Sequence, residues 1–323
     1  MVELNKIYNE NNCETMERMP DDYLDCIVTS PPYWGLRDYG VEGQLGLERT
    51  VEEYISKLVD IFGLCYAKLK TTGTCWVNLG DTYISKGGAS RHKGYSDPKY
   101  KNGRDGEHIE PHAFPQTFRP KSLANVPALF GIEMCKRGWI MRNEIIWRKP
   151  NVMPSSATDR FTVDYEKLYF FTKSEQYYFE QQFEPYDKTL DRWGGNVLKA
   201  DGKSLWDEGT GQNSYRNRNM RPNEEGRNRR AVWDINTEAC PEAHFAVYPE
   251  SLVLPCIQAG CPENGVVYDP FMGSGTTAKM CIKTNRNYIG SELSKKYCEI
   301  AEKRLKPYKN SIDMFYEQTK NQE

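Results

Sequence analysis

Residues 265–283, GVVYDPFMGSGTTAKMCIK, and 286–293, RNYIGSEL, decide the fold. An apolar, β-branched run ends at Asp269, a glycine-rich turn follows, and a helix-compatible stretch leads to a second apolar run ending at Glu292. Gly273 and Gly275 permit a tight turn and the close approach of a ligand to the backbone at a helix N-terminus. Such a loop stands at the carboxyl end of a strand, where open α/β sheets bind their ligands. It lacks the third glycine of a dinucleotide fingerprint and the Gly-Lys-[Ser/Thr] ending of a phosphate loop. Glu292 lies 17 residues beyond Gly275, and a carboxylate there can take both hydroxyls of an adenosine ribose.

Outward from this unit the same alternation returns. Residues 249–259 predict a helix with a proline in its first turn. Residues 294–305 predict another, with Ser294 as N-cap. In the N-terminal third, 23–29 (YLDCIVT) read as a strand. It stops at Ser30-Pro31-Pro32, because two prolines can neither continue a ladder nor start a helix interior. Val51, Tyr54, Ile55, Leu58, Ile61, Phe62 and Cys65 recur at helical spacing, so 51–69 predict an amphipathic helix. Residues 74–79 predict the next strand, 122–140 a helix and 143–149 a strand. Two apolar runs, 167–172 and 176–180, flank Lys173-Ser174-Glu175 and predict a hairpin. Strand–helix–strand units predict a mostly parallel, Rossmann-like α/β sheet with helices on both faces.

The chain has 323 residues, 38% of them hydrophobic and 27% charged. That excludes a disordered chain, and no run approaches the ~18 apolar residues of a membrane span. The polar, acidic N-terminal stretch predicts no signal peptide. Ten cysteines without a Cys-x-x-Cys suit free thiols in a reducing cytosol and give no zinc pattern; no metal is expected. The net charge of −2 gives no global sign of nucleic acid. Two irregular stretches differ from the rest. Residues 85–121, expected to be a mobile polar loop, carry eight lysines and arginines against four acids. Residues 216–230, RNRNMRPNEEGRNRR, carry six arginines against two acids, with four asparagines between them. Arg216, Arg218, Arg221, Arg227, Arg229 and Arg230 are therefore candidate DNA contacts, since arginine and asparagine grip phosphates and read base edges. A solvated charged segment is the other reading.

The chemistry concentrates in a second motif, Asp25-Cys-Ile-Val-Thr-Ser-Pro-Pro-Tyr33, followed by Trp34-Gly35. A rigid Pro31-Pro32 turn at a strand end fixes the Ser30 hydroxyl, a backbone carbonyl and the Tyr33 ring together. Those groups suit a planar heterocycle with an exocyclic amine: the ring stacks and two acceptors take the amine hydrogens. Such an amine is a poor nucleophile because its lone pair is delocalised. Holding both N–H groups out of plane localises the pair toward an electrophile, which is positioning with preorganised electrostatics.

TSPPYWGLRDYG together with DPFMGSGTT resembles the amino-methylating DNA methyltransferases. In that family [DNS]-P-P-[YFW] is catalytic and D-P-F-x-G-x-G-T-T binds S-adenosyl-L-methionine. The catalytic motif comes first here, with 235 residues between Tyr33 and Asp269. This is similar to the β-class order, a circular permutation with a target-recognition region between the motifs. GTCWVNLGD, NEIIWRKPNVMPSS, EKLYFFTKSEQYYF and HFAVYPESLVLPCI also resemble family segments. The resemblance covers most of the chain outside 85–121 and 185–230. It implies a catalytic and cofactor-binding domain over 1–184 and 240–310, a target-recognition region over 185–239 and a tail over 311–323.

The resemblance also implies roles. Ser30 and the Pro31 carbonyl would accept the amine hydrogens, next to Pro32, and Tyr33 would stack on a base flipped out of the duplex. Asp269, Pro270, Phe271, Gly273, Ser274, Gly275, Thr276 and Thr277 would hold the cofactor. Glu292 would bind its ribose, and His244 and Phe245 would border its methionine end. Serine at the first catalytic position is usual for cytosine N4 enzymes, while adenine N6 enzymes mostly carry Asp or Asn. Cytosine N4 is therefore favoured over adenine N6. The partner would be double-stranded DNA, with a cognate restriction endonuclease, and the enzyme a prokaryotic or phage-encoded cytoplasmic monomer or homodimer. Pro255-Cys256 could suggest a cytosine C5 methyltransferase, but it precedes the cofactor motif and lies in an apparent helix. A nicotinamide dehydrogenase leaves TSPPY unexplained, and protein or RNA amino-methyltransferases typically carry Asn first. An inactive DNA-binding protein would not need Ser30, Tyr33, Gly273 and Glu292 together.

Overall fold

The computed structural model describes residues 1–36, 38–84, 118–185, 225–238 and 248–320, with 310–320 as backbone alone. Two compact units are present, Met1–Glu180 with Ala231–Glu323, and Gln181–Arg230. The larger unit begins with β1 (Lys6–Tyr8), α1 (Asn12–Glu17), β2 (Leu24–Thr29), α2 (Val51–Lys68), β3 (Leu69–Leu79), α3 (Val126–Lys136), β4 (Ile140–Arg148) and β5 (Tyr165–Thr172). The smaller unit contributes β6 (Phe183–Glu184) and β7 (Arg227–Asn228), paired antiparallel. The larger unit then resumes with β8 (Val232–Asp234), α4 (Glu250–Gly260), β9 (Val266–Asp269), α5 (Thr276–Lys283), β10 (Asn287–Ser291) and α6 (Lys295–Lys320).

Eight strands form one sheet in the order β1-β10-β9-β2-β3-β5-β4-β8. All neighbours are parallel except β5, which runs antiparallel to both β3 and β4. The strand pleat sends alternate residues to two cores. Ile27 and Tyr268 face one, with Leu58 of α2 and Phe130 of α3. Cys26, Val28 and Val267 face the other, with Leu252 of α4, Ala278 of α5 and Leu305 of α6. Helix α2 shows why the sequence folds this way. Thr50 caps its N-terminus by accepting from the Glu53 N–H, Glu52 and Glu53 complement the dipole, and Val51, Tyr54, Ile55, Leu58 and Phe62 bury one stripe.

The crossovers that follow β2 and β9 lie on opposite faces, so the topological switch point falls between these two central strands. Because β5 is reversed, its first residues lie at the same edge as the carboxyl ends of β3 and β4: Lys167 is level with Leu79, and Glu166 with Trp147.

Four expectations change. The hairpin over 167–180 does not form, since β5 spends both edges on β3 and β4. Its supposed partner instead runs alongside, Tyr178 N donating to Thr72 O at 2.8 Å and Glu180 N to Ala259 O at 2.9 Å. Pro249 is the N-cap of α4 and the proline inside that helix is Pro255. Residues 232–234, read as part of the recognition region, are an edge strand of the main sheet paired with β4, and residues 311–320 continue α6.

Candidate active site at the carboxyl edge of the sheet

A cavity of about 870 Å³ opens at the switch point, within the range of small-molecule sites. Its wall includes Ser30, Pro31, Pro32 and Tyr33 after β2, and Pro270, Phe271, Gly273 and Ser274 after β9. Ser291 and Glu292 close β10, while Asn78, Trp147, Lys149 and Glu166 come from β3, β4 and β5. The two sequence motifs, far apart in the chain, thus share one cavity.

The glycine loop is held from beneath. Asp269 is fully buried, and its carboxylate accepts from Thr29 Oγ1 at 2.6 Å, Thr277 Oγ1 at 2.6 Å, the Phe271 N–H at 3.0 Å and Tyr248 Oη at 3.0 Å. Burial pushes this carboxyl up, and the four donors partly offset it. Asp269 therefore fastens β2, β9, α5 and Tyr248 together behind the wall; it does not line the cavity. Gly275, Thr276 and Thr277 are likewise behind it. Gly275 has φ +82°, and a Cβ there would stand 2.9 Å from the Ala301 Cβ. Its freedom serves the approach of α6, not of a ligand. Arg304 of α6 donates to Ser274 O at 2.6 Å and to Ser274 Oγ at 2.7 Å, fixing the loop from that side. Gly273 differs: at φ +53°, a Cβ would meet nothing nearer than the Phe271 carbonyl at 3.8 Å, so its backbone is open to the cavity.

Glu292 accepts the Gly273 N–H at 2.8 Å and the Ser294 N–H at 2.7 Å. Burial raises its carboxyl above the ordinary range, against those two N–H groups. The fit to an adenosine-bearing cofactor is good: a fixed carboxylate for a ribose, an uncluttered glycine backbone and the half-buried Phe271 ring share one wall.

At the other end, Asn78 is 1% exposed. Its amide donates to Lys167 O at 3.3 Å, which turns Oδ1 toward Ser30 and Tyr33. Ser30 Oγ lies 3.4 Å and Tyr33 Oη 3.1 Å from that oxygen. With its proton directed to Asn78, Ser30 Oγ keeps lone pairs free to accept. Tyr33 Oη directs its single proton to Glu166 at 2.7 Å, and Glu166 is paired with Lys149. Burial, then the neighbouring Glu166 charge, hold the Tyr33 phenol well above its usual value, so it stays protonated. The Pro32 carbonyl is taken by Tyr54 Oη at 2.8 Å.

Of the remaining candidates, His244, Phe245, Arg216, Arg218 and Arg221 lie outside the described residues, although Tyr248, just beyond His244 and Phe245, lines the cavity. Arg227 and Arg230 pair with Glu184, and the Arg229 N–H donates to Gln182 O. Cys256 is buried in the core and does not line the cavity. Asn78, Lys149 and Glu166 were not assigned from the sequence. Their one local signal is a polar side chain at the end of an apolar run, in TCWVNL, IIWRK and YEKLYFF.

The N6_N4_Mtase family model, described as DNA methylase, matches residues 24–303. The type II methyltransferase M.Cfr9I of Citrobacter freundii is 36% identical over 306 residues, covering 94% of this chain and 89% of that protein. M.SmaI of Serratia marcescens is 37% identical over 292 residues, covering 90% and 87%. Among solved structures, the PvuII DNA methyltransferase (cytosine-N4-specific) matches with a TM-score of 0.58 at 16% identity, covering 95% of this chain and 92% of that one. TTHA0409 of Thermus thermophilus, complexed with S-adenosyl-L-methionine, matches with a TM-score of 0.55 at 18% identity, covering 94% and 93%. At such identities these two structures bear on the fold.

Proposed function

The chain belongs to the N6/N4 DNA methylase family, and we propose that within it this protein methylates N4 of cytosine in double-stranded DNA, using S-adenosyl-L-methionine. The observation that carries the reading is the one cavity with Ser30 and Tyr33 at one end and Gly273 and Glu292 at the other. The cofactor, when bound, supplies a methyl on a sulfonium: the C–S bond breaks as the N–C bond forms, and the sulfonium leaves as a thioether. Gly273, Phe271 and Glu292 would hold it. Ser30 Oγ and the Pro31 carbonyl accept the two amine hydrogens, and the Tyr33 ring stacks on the flipped base. That arrangement draws the amine lone pair out of conjugation toward the methyl. The methylated amine then carries a positive charge and loses one of its two held protons to solvent.

Ser30 supports cytosine because serine at the first catalytic position is usual for the cytosine N4 enzymes the chain resembles, while adenine N6 enzymes mostly carry Asp or Asn. The six arginines of 216–230 are the proposed phosphate contacts, and Arg227 and Arg230 would exchange Glu184 for phosphate on binding. A restriction endonuclease reading the same sequence is the proposed partner in the cell. Mass spectrometry of nucleosides from DNA methylated by the purified protein tests the target: N4-methylcytosine is expected. N6-methyladenine would replace the base assignment, and no methylated nucleoside would sink the reading.

A further inference from the structure

Resting on that reading, we infer that Glu166, held in place by Lys149, is a positioning residue that sets where the Tyr33 ring lies in the cavity. Four observations carry this. Glu166 Oε2 accepts the Tyr33 hydroxyl at 2.7 Å, and its other oxygen is clasped by Lys149 Nζ. Lys149 is itself fixed, lying 4.4 Å over the Trp147 ring, whose Nε1 donates to Ile235 O at 2.8 Å. The Tyr33 ring rests against Gly80, where a Cβ would stand only 2.6 Å from Tyr33 Cε2. Tyr33, Trp147, Lys149 and Glu166 all line the cavity.

A ring that only filled space would need none of this. Here the Pro31-Pro32 turn fixes one end of the tyrosine, bare backbone at Gly80 supports the ring, and Glu166 holds the hydroxyl. The far end of the ring is held and its position backed before a base arrives, which is preorganisation of a stacking surface. Nor is the Lys149–Glu166 pair needed to join β4 to β5, since those strands already pair from Ile140–Thr172 to Arg148–Tyr165. Both side chains are only 16% exposed. A desolvated pair of this kind contributes little net stability and is best retained for geometry. Asn78 alone cannot fix the ring, because its Oδ1 is shared with Ser30.

The test is a double-mutant cycle on the full-length protein with its DNA, reading single-turnover methyl transfer at saturating cofactor and, by calorimetry, cofactor affinity. Glu166→Gln and Tyr33→Phe are each expected to slow transfer about tenfold, and the double variant also about tenfold, because both remove one interaction. Cofactor affinity should stay within about twofold, showing a folded site. An additive double variant, near a hundredfold, would mean that Glu166 acts on the base independently and would overturn the inference. So would Glu166→Gln without effect on rate, or a variant that no longer binds cofactor. Wild-type protein that leaves DNA unmethylated would instead sink the proposed function itself. Transfer by wild type with an additive cycle would sink only the role of Glu166.

Discussion

The two ends of the cavity are built by different means. The cofactor end comes from one stretch, Asp269 to Glu292, and is shaped by backbone: an open glycine, two N–H groups on Glu292 and a buried carboxylate beneath. The proposed amine end draws Asn78 and Glu166 from β3 and β5 and Ser30 and Lys149 from just beyond β2 and β4, and is shaped by side chains bonded to one another. The first end depends on backbone shape and on the buried Asp269 that holds it from behind. The second places its precision in a few polar atoms, each removable by one substitution. Rate should therefore depend most on the second end, and stability and cofactor affinity on the first.

The largest effect that would sharpen this contrast is on rate. Ser30→Ala or Tyr33→Ala should lower single-turnover methyl transfer by about 10²–10³-fold, the size expected for one preorganised polar group. Cofactor affinity by calorimetry should hardly move. A comparable loss of cofactor affinity would break the division between the two ends.

Next comes backbone shape. Gly275→Ala places a Cβ 2.9 Å from Ala301 in a left-handed conformation. It should cost about 1–3 kcal/mol, the range for overpacking, seen as a lower thermal unfolding midpoint. Gly273→Ala meets no such neighbour and should cost less, on the order of 1 kcal/mol from conformation alone, while weakening cofactor binding more. The reverse ranking would mean that the loop is fastened to α6 less tightly than the distances imply.

The smallest effect is a pH dependence. Since the Glu292 carboxyl is raised in the folded protein, it takes up a proton sooner than an ordinary glutamate as the solution is acidified. In the proposed role the ribose is held by the carboxylate, so cofactor affinity should fall as the solution is acidified. Folding stability changes in the opposite sense: the raised group favours the folded state at low pH, and this contribution is lost as pH rises through its folded value. Titrating the dissociation constant between about pH 8 and 5 should show the acid-side loss in the wild type, and Glu292→Gln should flatten it. Identical curves would exclude Glu292 from the binding step.

The same contrast explains what was legible in the sequence. DPFMGSGTT and Glu292 are close in the chain, so their geometry follows from one strand–turn–helix–strand unit. Ser30 and Tyr33 were legible because two prolines fix a turn at a strand end. Glu166 was not. Its place depends on β5 running backward, and nothing local to YEKLYFF distinguishes a parallel from an antiparallel neighbour; the hairpin expected over 167–180 hid that reversal. Asp269 was read as a cofactor contact because it heads the motif. Only the three-dimensional packing brings Thr29, Thr277 and Tyr248 onto its carboxylate and places it behind the wall.

The reversal of β5 also bears on how such a protein can diversify. Strands β4 and β5 are joined by residues 149–164, and this excursion leaves and re-enters at the active-site edge, sealed where the Lys149 N–H donates to Asp164 O at 2.7 Å. Beyond that seal the loop is tied back at three points: the Asn151 side chain bonds the Thr237 backbone, Asp159 pairs with Lys121, and Arg160 lies over the Tyr83 ring. A change of loop length between those ties would leave the paired register of β4 and β5 beneath it in place.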